Sequence, residues 1–210
     1  LAGGAWSGNG KLEVLSQLMR LRQICCDPAL CFEDYTGESA KLETCVSLIA
    51  SASAAGHKIL LFSQFASMLE RIRERLLQEG ISSHLLVGAT PKEERSRMVQ
   101  AFASDEVPVF LISLKAGGTG LNLTAADIVI HYDPWWNVAA QNQATDRAYR
   151  IGQEKPVTVY KLILKDTIEE NLLKLQNAKL ALAAQVVSEG MVSLGDLSQN
   201  ELMELFEQNP

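Results

Sequence analysis

Short apolar segments alternate with amphipathic ones through the central part of this 210-residue chain. Five of the apolar segments have the length of strands, and strands are predicted at 58–63, 81–87, 109–113, 127–131 and 157–164. The segments between them carry apolar residues at helical spacing. This alternation is typical of βαβ units, in which helices cover both faces of a parallel sheet. We therefore predict an α/β fold of three layers, with a mainly parallel sheet flanked by helices and helical extensions at both ends.

Several helices carry end signals that can be read from the sequence. Residues 11–26 repeat an apolar side chain every third position and stop at an Asp-Pro pair. Ser39 is placed to cap a second helix over 41–53. Residues 90–93 read T-P-K-E, which has the T-x-x-E form of a capping box and predicts Pro91 as the first helical residue.

The formal net charge of −6 makes the whole chain a poor candidate for nucleic-acid binding at first sight. The charge is concentrated at one end, because residues 166–210 hold eight acidic side chains and two lysines. Residues 1–165 are neutral, with 17 acidic and 17 basic side chains. The chain is therefore predicted to consist of a helical lead-in (1–38), an α/β domain (39–165) and an acidic helical extension (166–210). A nucleic-acid partner for the domain is not excluded.

Membrane and metal-binding classes are not favoured by the sequence. No apolar run reaches the roughly 18 residues of a membrane-spanning helix, and the Gly-rich start lacks the apolar region of a signal peptide. No membrane partner is expected. The four cysteines (Cys25, Cys26, Cys31 and Cys45) lack the spacing of a zinc site, so we expect reduced thiols in a cytosolic protein and no metal ligands.

A glycine-rich loop follows the third predicted strand. Its sequence from Lys115 to Leu123 is KAGGTGLNL, and the glycines would let backbone N–H groups turn toward an anion. A tight turn without a ligand is the alternative. The phosphate-binding pattern G-x-x-x-x-G-K-[ST] is absent, so the chain is not expected to bind a nucleotide by itself through such a loop.

Two groups of basic residues could contact phosphate. One lies in 90–97, where a helix start and three basic side chains come together, with a solvated helix start as the alternative. The other comprises Gln143, Arg147 and Arg150, whose spacing places them on one face of a predicted helix over 138–150. Two guanidiniums suit recognition of delocalised phosphate charge, and ion pairs along the same helix are the alternative.

Five strings of residues, taken in chain order, resemble motifs IV, IVa, V, Va and VI of Swi/Snf-type ATPases, which are double-stranded DNA translocases of helicase superfamily 2. The strings are ILLFSQF at 59–65, LVGAT at 86–90, SLKAGGTGLNLT at 113–124, DPWWN at 133–137 and QATDRAYRIGQ at 143–153. The last string is the most specific. The resemblance covers about residues 12–167, includes the LRQICCDP lead-in at 21–28, and has a bacterial character.

The resemblance implies the second of two RecA-like lobes, with ATP bound in the cleft between them. ATP and Mg²⁺ would be held mainly by a first lobe, so these residues alone are expected to be inactive. Arg147 and Arg150 would act as arginine fingers that stabilise charge on the γ-phosphate. Gln143, Gly120 and Asn122 would line the same cleft.

On the DNA side, the resemblance assigns loops that follow the strands. The DNA-facing positions are Gln64, Gly88, Thr90, Lys115, Gly118, Thr119 and Trp136. One of the two adjacent tryptophans is expected to be exposed, since both cannot easily be buried on a strand-end loop. Three departures from the family pattern, at Asp27, Val138 and Tyr149, remove none of these residues, and no role is assigned to Asp27.

The implied function is that of the C-terminal motor lobe of an ATP-dependent double-stranded DNA translocase, an ATP hydrolase in its two-lobe form. Its partners would be double-stranded DNA, the first lobe of the same chain and a protein target of remodelling. The location would be cytoplasmic and nucleoid-associated in a bacterium, or nuclear in a eukaryote. The alternative is a lobe without ATPase activity that serves as a DNA- or protein-binding scaffold.

Overall fold

The computed structural model describes residues 8–116, 121–135, 137–149, 153, 155–183, 203 and 205–206. At its centre is a five-stranded sheet in which neighbouring strands are parallel. The strands are β1 (Ile59–Ser63), β2 (Ser83–Leu86), β3 (Val109–Ser113), β4 (Ile128–His131) and β5 (Thr158–Lys161), in the order β2-β3-β1-β4-β5. The α/β prediction is confirmed, and each predicted strand overlaps an observed one.

Helices cover both faces of the sheet. They are α1 (Gly8–Cys26), α2 (Ala40–Ala54), α3 (Ala66–Gln78), α4 (Lys92–Ser104), α5 (Val138–Thr145) and α6 (Ile168–Ala183), and a 3₁₀ turn spans Pro28–Leu30. The predicted helical tail beyond Ala183 lies outside the described residues apart from 203 and 205–206.

Alternate residues of the central strand β1 enter two apolar clusters, one on each side of the sheet. Ile59 and Leu61 pack in the cluster that contains α2 and α3, whereas Leu60 and Phe62 pack in the one that contains α4 and α5. All four side chains are fully buried. Since successive strand residues point to opposite faces, a strand covered on both sides must be apolar throughout. This is why short uninterrupted apolar runs located β1, β3 and β4 correctly.

The helices at the two ends of the described chain pack against each other. Leu18 of α1 belongs to a small apolar cluster with Leu172 of α6. The end of α1 also reaches the main core, where Cys26 and Cys45 of α2 are completely buried. All four cysteines are free thiols. The two terminal helices therefore pack against each other, and the end of α1 joins them to the main core.

The start of α2 is fixed by Ser39, as predicted. Ser39 has extended backbone angles, and its Oγ accepts a hydrogen bond from the Leu42 N–H at 3.4 Å. The same hydroxyl donates to the Cys26 carbonyl oxygen at 3.2 Å. The cap therefore also joins the start of α2 to the end of α1.

Replacing Ser39 with alanine is expected to lower the free energy of unfolding by about 1 kcal/mol, because the first turn of α2 loses its side-chain acceptor. Urea unfolding followed by circular dichroism measures the change. Ser47→Ala, on the exposed side of α2, is the matched control and should change stability by less than about 0.5 kcal/mol. Equal effects of the two substitutions would contradict the capping role.

The predicted capping box at the start of α4 is wrong. α4 begins at Lys92, and its N-cap is Pro91, which has no side chain that can cap. The Thr90 hydroxyl instead accepts a hydrogen bond from the Val87 N–H at 3.1 Å. It therefore closes the turn after β2, and Pro91 precedes the helix rather than opening it.

The predicted length of α5 is also wrong, because the helix ends at Thr145. Beyond it the Arg147 N–H donates to the Ala144 carbonyl oxygen at 3.3 Å, a three-residue spacing tighter than that of an α-helix. The Arg147 carbonyl oxygen then accepts the Leu123 N–H at 3.2 Å. Gln143 is exposed and Arg147 is only 3% exposed, so these two residues do not share the predicted helix face, and Arg150 lies outside the described residues.

Candidate functional site

The carboxyl ends of β1, β3 and β4 meet at one edge of the sheet, which is where open parallel sheets bind their ligands. The loops that begin at Gln64, Leu114 and Tyr132 lie side by side there. The Leu114 N–H donates to the Ser63 carbonyl oxygen at 3.0 Å, and the Tyr132 N–H donates to the Phe62 carbonyl oxygen at 2.9 Å. Three of the five motif-like strings therefore converge at this edge.

Asp133, just after β4, fastens the end of β1 to the end of β4. Its side chain is 1% exposed. Oδ1 accepts hydrogen bonds from the Ser63 hydroxyl at 2.5 Å and from the Gln64 N–H at 3.1 Å. Oδ2 lies 3.5 Å from Nη2 of Arg22 on α1. No role was predicted for Asp133 or Arg22. An acid two residues after a buried strand was the available signal, but its partner on α1 leaves no local sequence pattern.

Two helices outside the sheet hold the strand-end segment, which we define as residues 132–135. Arg22 Nη2 of α1 donates to the Pro134 carbonyl oxygen at 2.7 Å. Gln176 Nε2 of α6 donates to the Trp135 carbonyl oxygen. Arg22 is 1% exposed and Gln176 is 6% exposed. The strand-end segment is therefore anchored by side chains of both α1 and α6.

Arg95 of α4 joins the loop after β2 to the loop after β3. Its side chain donates to the carbonyl oxygens of Thr90 at 2.8 Å, Gly88 at 2.9 Å and Ala116 at 3.2 Å. These donors are engaged by the backbone, so Arg95 acts as a structural clamp. The predicted phosphate contact of residues 90–97 then depends on the exposed basic side chains beside it.

The predicted DNA-facing residues differ in their exposure. Gly88 and Lys115 are exposed, and Thr90 is half-buried. Gln64 is half-buried, with its Nε2 3.7 Å from Met19 Sδ of α1 and its Oε1 buried with no hydrogen-bond partner among the described residues. The remaining predicted positions, Gly118, Thr119 and Trp136, lie outside the described residues.

The predicted cleft residues also differ in their exposure to solvent, and two of them are not described. Asn122 and Gln143 are exposed, and Arg147 is buried below the end of α5. Gly120 and Arg150 lie outside the described residues. The structure thus brings Arg147 and the glycine-rich loop together through the Leu123 contact, while it leaves the two exposed amides at the surface.

His131, the last residue of β4, is buried beneath this edge. It is 2% exposed, its ring stacks on Phe62 with 5.6 Å between centroids, and its Nε2 lies 2.9 Å from Thr145 Oγ1. Burial, assisted by the Lys161 ammonium, lowers the pKa of His131 to about 4. The ring is therefore neutral at physiological pH and links β4 to the end of α5.

Stability is expected to fall as the pH drops from 7 to 5. The unfolded His131 side chain takes up a proton near pH 6.5 and the folded one only near pH 4, so the unfolded state binds more protons in this window. The expected loss is about 2 kcal/mol, at about 1.4 kcal/mol per pH unit below 6.5. Urea unfolding of the wild type and of His131→Gln at both pH values measures it. An equal pH dependence in the two proteins would contradict this origin.

A second buried acid, Asp27, has a structural role that was not predicted. It is 2% exposed, and its Oδ1 caps the 3₁₀ turn by accepting the Ala29 N–H at 2.9 Å. Its Oδ2 pairs with Arg71 Nε of α3 at 2.9 Å. The Asp-Pro pair correctly indicated a turn, whereas the contact with α3 depends on the tertiary fold.

In the described parts of the chain, no three or more His, Cys, Asp or Glu side chains are grouped so that they could hold a metal ion. Nor does any described helix have the length and apolar content needed to cross a membrane.

Residues 40–152, more than half of the chain, match the family described as the helicase conserved C-terminal domain. The chain belongs to this helicase family. The matched range contains strands β1 to β4 and helices α2 to α5. Helices α1 and α6, which hold the strand-end segment of this helicase lobe, lie outside the matched range.

Curated relatives of the helicase lobe are both bacterial and eukaryotic. YwqA of Bacillus subtilis, which carries the name of an ATP-dependent helicase/translocase, is 44% identical over 205 residues, or 93% of this chain and 22% of that protein. The human SWI/SNF-related matrix-associated actin-dependent regulator of chromatin subfamily A member 1 is 34% identical over 212 residues, or 93% of this chain and 20% of that protein. The chain spans about a fifth of the length of the curated relatives it matches.

Solved Swi/Snf-type structures resemble the helicase lobe over nearly its whole length. The Sulfolobus solfataricus SWI2/SNF2 ATPase C-terminal domain is 32% identical with a TM-score of 0.76, over 98% of this chain and 86% of that one. The SWI2/SNF2 ATPase core of the same organism in complex with dsDNA is 33% identical with a TM-score of 0.78, over 98% of this chain and 44% of that one. The chain is therefore a Swi/Snf-type second RecA-like lobe, as the motif-like strings implied.

Proposed function

We propose that this chain is the C-terminal motor lobe of an ATP-dependent double-stranded DNA translocase. The observation that carries the proposal is its likeness, over 98% of its length, to a SWI2/SNF2 ATPase core solved in complex with dsDNA. The convergence of three motif-like loops at the carboxyl edge of the sheet supports it. Such an edge can contact one ligand with several loops at once.

On the ATP side, the proposed groups are Arg147, Arg150 and the cleft residues Gln143, Gly120 and Asn122. The exposed Asn122 and Gln143 amides are free to meet a phosphate or the facing lobe. Arg150 would stabilise charge that develops on the transferred phosphoryl group, as an arginine finger does. Arg147 would be the second finger; its side chain is 3% exposed in this lobe alone, and its carbonyl oxygen accepts the Leu123 N–H of the glycine-rich loop. ATP supplies the phosphoryl group, and Mg²⁺ is assigned to the facing lobe.

On the DNA side, the exposed loops after β2 and β3 would contact phosphates of the duplex. Gly88 and Lys115 offer a backbone surface and a cationic side chain at neighbouring strand ends. Arg95 binds the carbonyl oxygens of both loops, which fixes their spacing before DNA arrives. Contacts of this kind do not read the bases, so binding would be largely independent of sequence and sensitive to salt.

The test uses the full-length protein that contains this lobe. ATP hydrolysis is measured without DNA and with two duplexes of unrelated sequence. We expect similar stimulation by both duplexes and a steep loss of binding as salt rises. A protein that is stimulated by neither duplex overturns the proposal. Tight duplex binding without any ATP hydrolysis would instead identify the scaffold alternative.

Replacing Lys115 with alanine is expected to weaken binding of both duplexes alike, because one phosphate contact is lost. The slope of the logarithm of the binding constant against the logarithm of the salt concentration should fall in magnitude by about 1. Fluorescence anisotropy over a salt series measures both quantities. Lys155→Ala is the matched control, since that exposed lysine lies 3.6 Å from Asp127 at the amino end of β4, on the opposite edge. The same slope change in both variants would contradict the assignment.

A further inference from the structure

The strand-end segment has two carbonyl oxygens that are bound by side chains from distant helices. The Pro134 carbonyl oxygen accepts from Arg22, and the Trp135 carbonyl oxygen accepts from Gln176. Residues 134 and 135 belong to neither a strand nor a helix, so these side chains replace the missing backbone partners. Both donors are almost fully buried. The backbone of residues 134 and 135 is therefore held by side chains of helices α1 and α6.

Arg22 is itself firmly placed. Its guanidinium lies 3.5 Å from the Asp133 carboxylate and 5.6 Å from the centre of the Phe65 ring. The planar guanidinium can bind Asp133 and the Pro134 carbonyl oxygen together in one fixed geometry. A movement of α1 would therefore carry both Asp133 and the next peptide group with it.

Gln176 is held through the rest of α6. Leu172, one turn earlier, packs against Leu18 of α1. At the start of α6, both oxygens of Glu169 lie 2.6 Å from the Lys41 ammonium of α2. The position of the Gln176 amide is thus coupled to the seating of α6 on α1 and α2.

We propose that Arg22 and Gln176 are positioning residues that hold the strand-end segment and thereby couple helices α1 and α6 to the stimulation of the ATPase by DNA. The coupling rests on the proposed function, whereas the holding of the segment does not. Neither residue lies in the range matched by the helicase family. On this proposal the two flanking helices are functional parts of the motor lobe, because their seating sets the backbone path of residues 134 and 135.

The experiment uses the full-length protein with Arg22→Met, Arg22→Lys and Gln176→Met. Gln176→Met removes the hydrogen-bond donor and keeps the length of the side chain. Because both side chains are neutral, the substitution leaves no buried charge. Arg22→Lys keeps a cation that can still donate to the Pro134 carbonyl oxygen. Arg71→Met and Gln17→Met are matched controls, because Arg71 pairs with Asp27 and Gln17 is exposed on α1.

The first readout is hydrogen–deuterium exchange of residues 132–137 without ATP or DNA. We expect exchange to speed up about tenfold in Arg22→Met and Gln176→Met, and to remain as in the wild type in both controls. Arg22→Lys should restore slow exchange. If Arg22→Met does not fold, the exchange measured in Gln176→Met tests the positioning role by itself. Unchanged exchange in the folded Gln176→Met protein overturns the positioning role, whatever the ATPase does.

The second readout is ATP hydrolysis over a range of duplex concentrations. We expect the maximal DNA-stimulated rate of Gln176→Met to fall about tenfold or more, with an unchanged rate in the absence of DNA, because small misplacements of a functional loop are costly. Full stimulation together with fast exchange overturns the coupling. If DNA does not stimulate ATP hydrolysis by the wild-type protein, the proposed function is refuted. The hydrogen–deuterium exchange result then tests the positioning role by itself.

Discussion

Replacing Arg150 with alanine in the full-length protein is expected to lower DNA-stimulated ATP hydrolysis by about 10³- to 10⁵-fold. The reason is that an arginine finger acts on charge that appears only in the transition state. Binding of duplex DNA should persist, since phosphate contacts elsewhere on the lobe supply it. Steady-state ATPase assays and anisotropy measurements separate the two effects.

Arg73→Ala is the matched control for that experiment, because Arg73 is an exposed arginine on α3, away from the carboxyl edge of the sheet. It should leave turnover unchanged. Wild-type turnover in Arg150→Ala would refute the finger assignment. Robust hydrolysis by these 210 residues alone would refute a cleft shared by two lobes.

Replacing Glu169 with alanine is expected to lower the free energy of unfolding by about 3–5 kcal/mol, because it leaves the Lys41 ammonium buried without its carboxylate. Glu169 is 1% exposed and Lys41 is 7% exposed. Burial raises the pKa of the Glu169 carboxyl, and the Lys41 ammonium at 2.6 Å opposes that rise. The Leu164 N–H also loses its acceptor at 2.9 Å. Urea unfolding measures the loss.

The neighbouring substitution Glu170→Ala provides the control. Glu170 makes an i,i+4 ion pair with Lys174 at 3.5 Å on the open side of α6, and its loss should cost far less. The double variant Lys41→Met with Glu169→Gln removes both charges and keeps an acceptor for the Leu164 N–H. It should recover much of the stability lost in Glu169→Ala. A double variant as unstable as Glu169→Ala would contradict the buried-charge explanation.

The sequence predicted most of the sheet because burial on both faces forces an apolar run, as in β1 and β3. It also predicted the Ser39 cap, which depends on only four consecutive residues. The prediction was wrong at Thr90. The hydroxyl could accept a hydrogen bond either from the first turn of α4 or from the Val87 N–H, and in the structure it accepts from Val87. Local patterns could not decide between them.

The candidate site was predictable only in part, for a related reason. Motif-like strings placed the loops correctly at the carboxyl edge, because strand ends of a parallel sheet meet there. The contact between Arg22 and Asp133 joins residues 111 positions apart, and no periodicity in either helix or strand encodes it. Arg147 is likewise buried because α5 ends early, at Thr145. The helical spacing of Gln143, Arg147 and Arg150 instead predicted that the helix continues to residue 150.

The completely buried thiol of Cys45 on α2 can report opening motions of that helix. Burial raises the pKa of Cys45 to about 12, so the folded protein holds almost none of the reactive thiolate. Alkylation must then wait until α2 separates from the sheet, whereas the partly exposed Cys31 needs no such event. The difference between the alkylation rates of Cys31 and Cys45 would report how often α2 separates from the sheet, with no engineered cysteine.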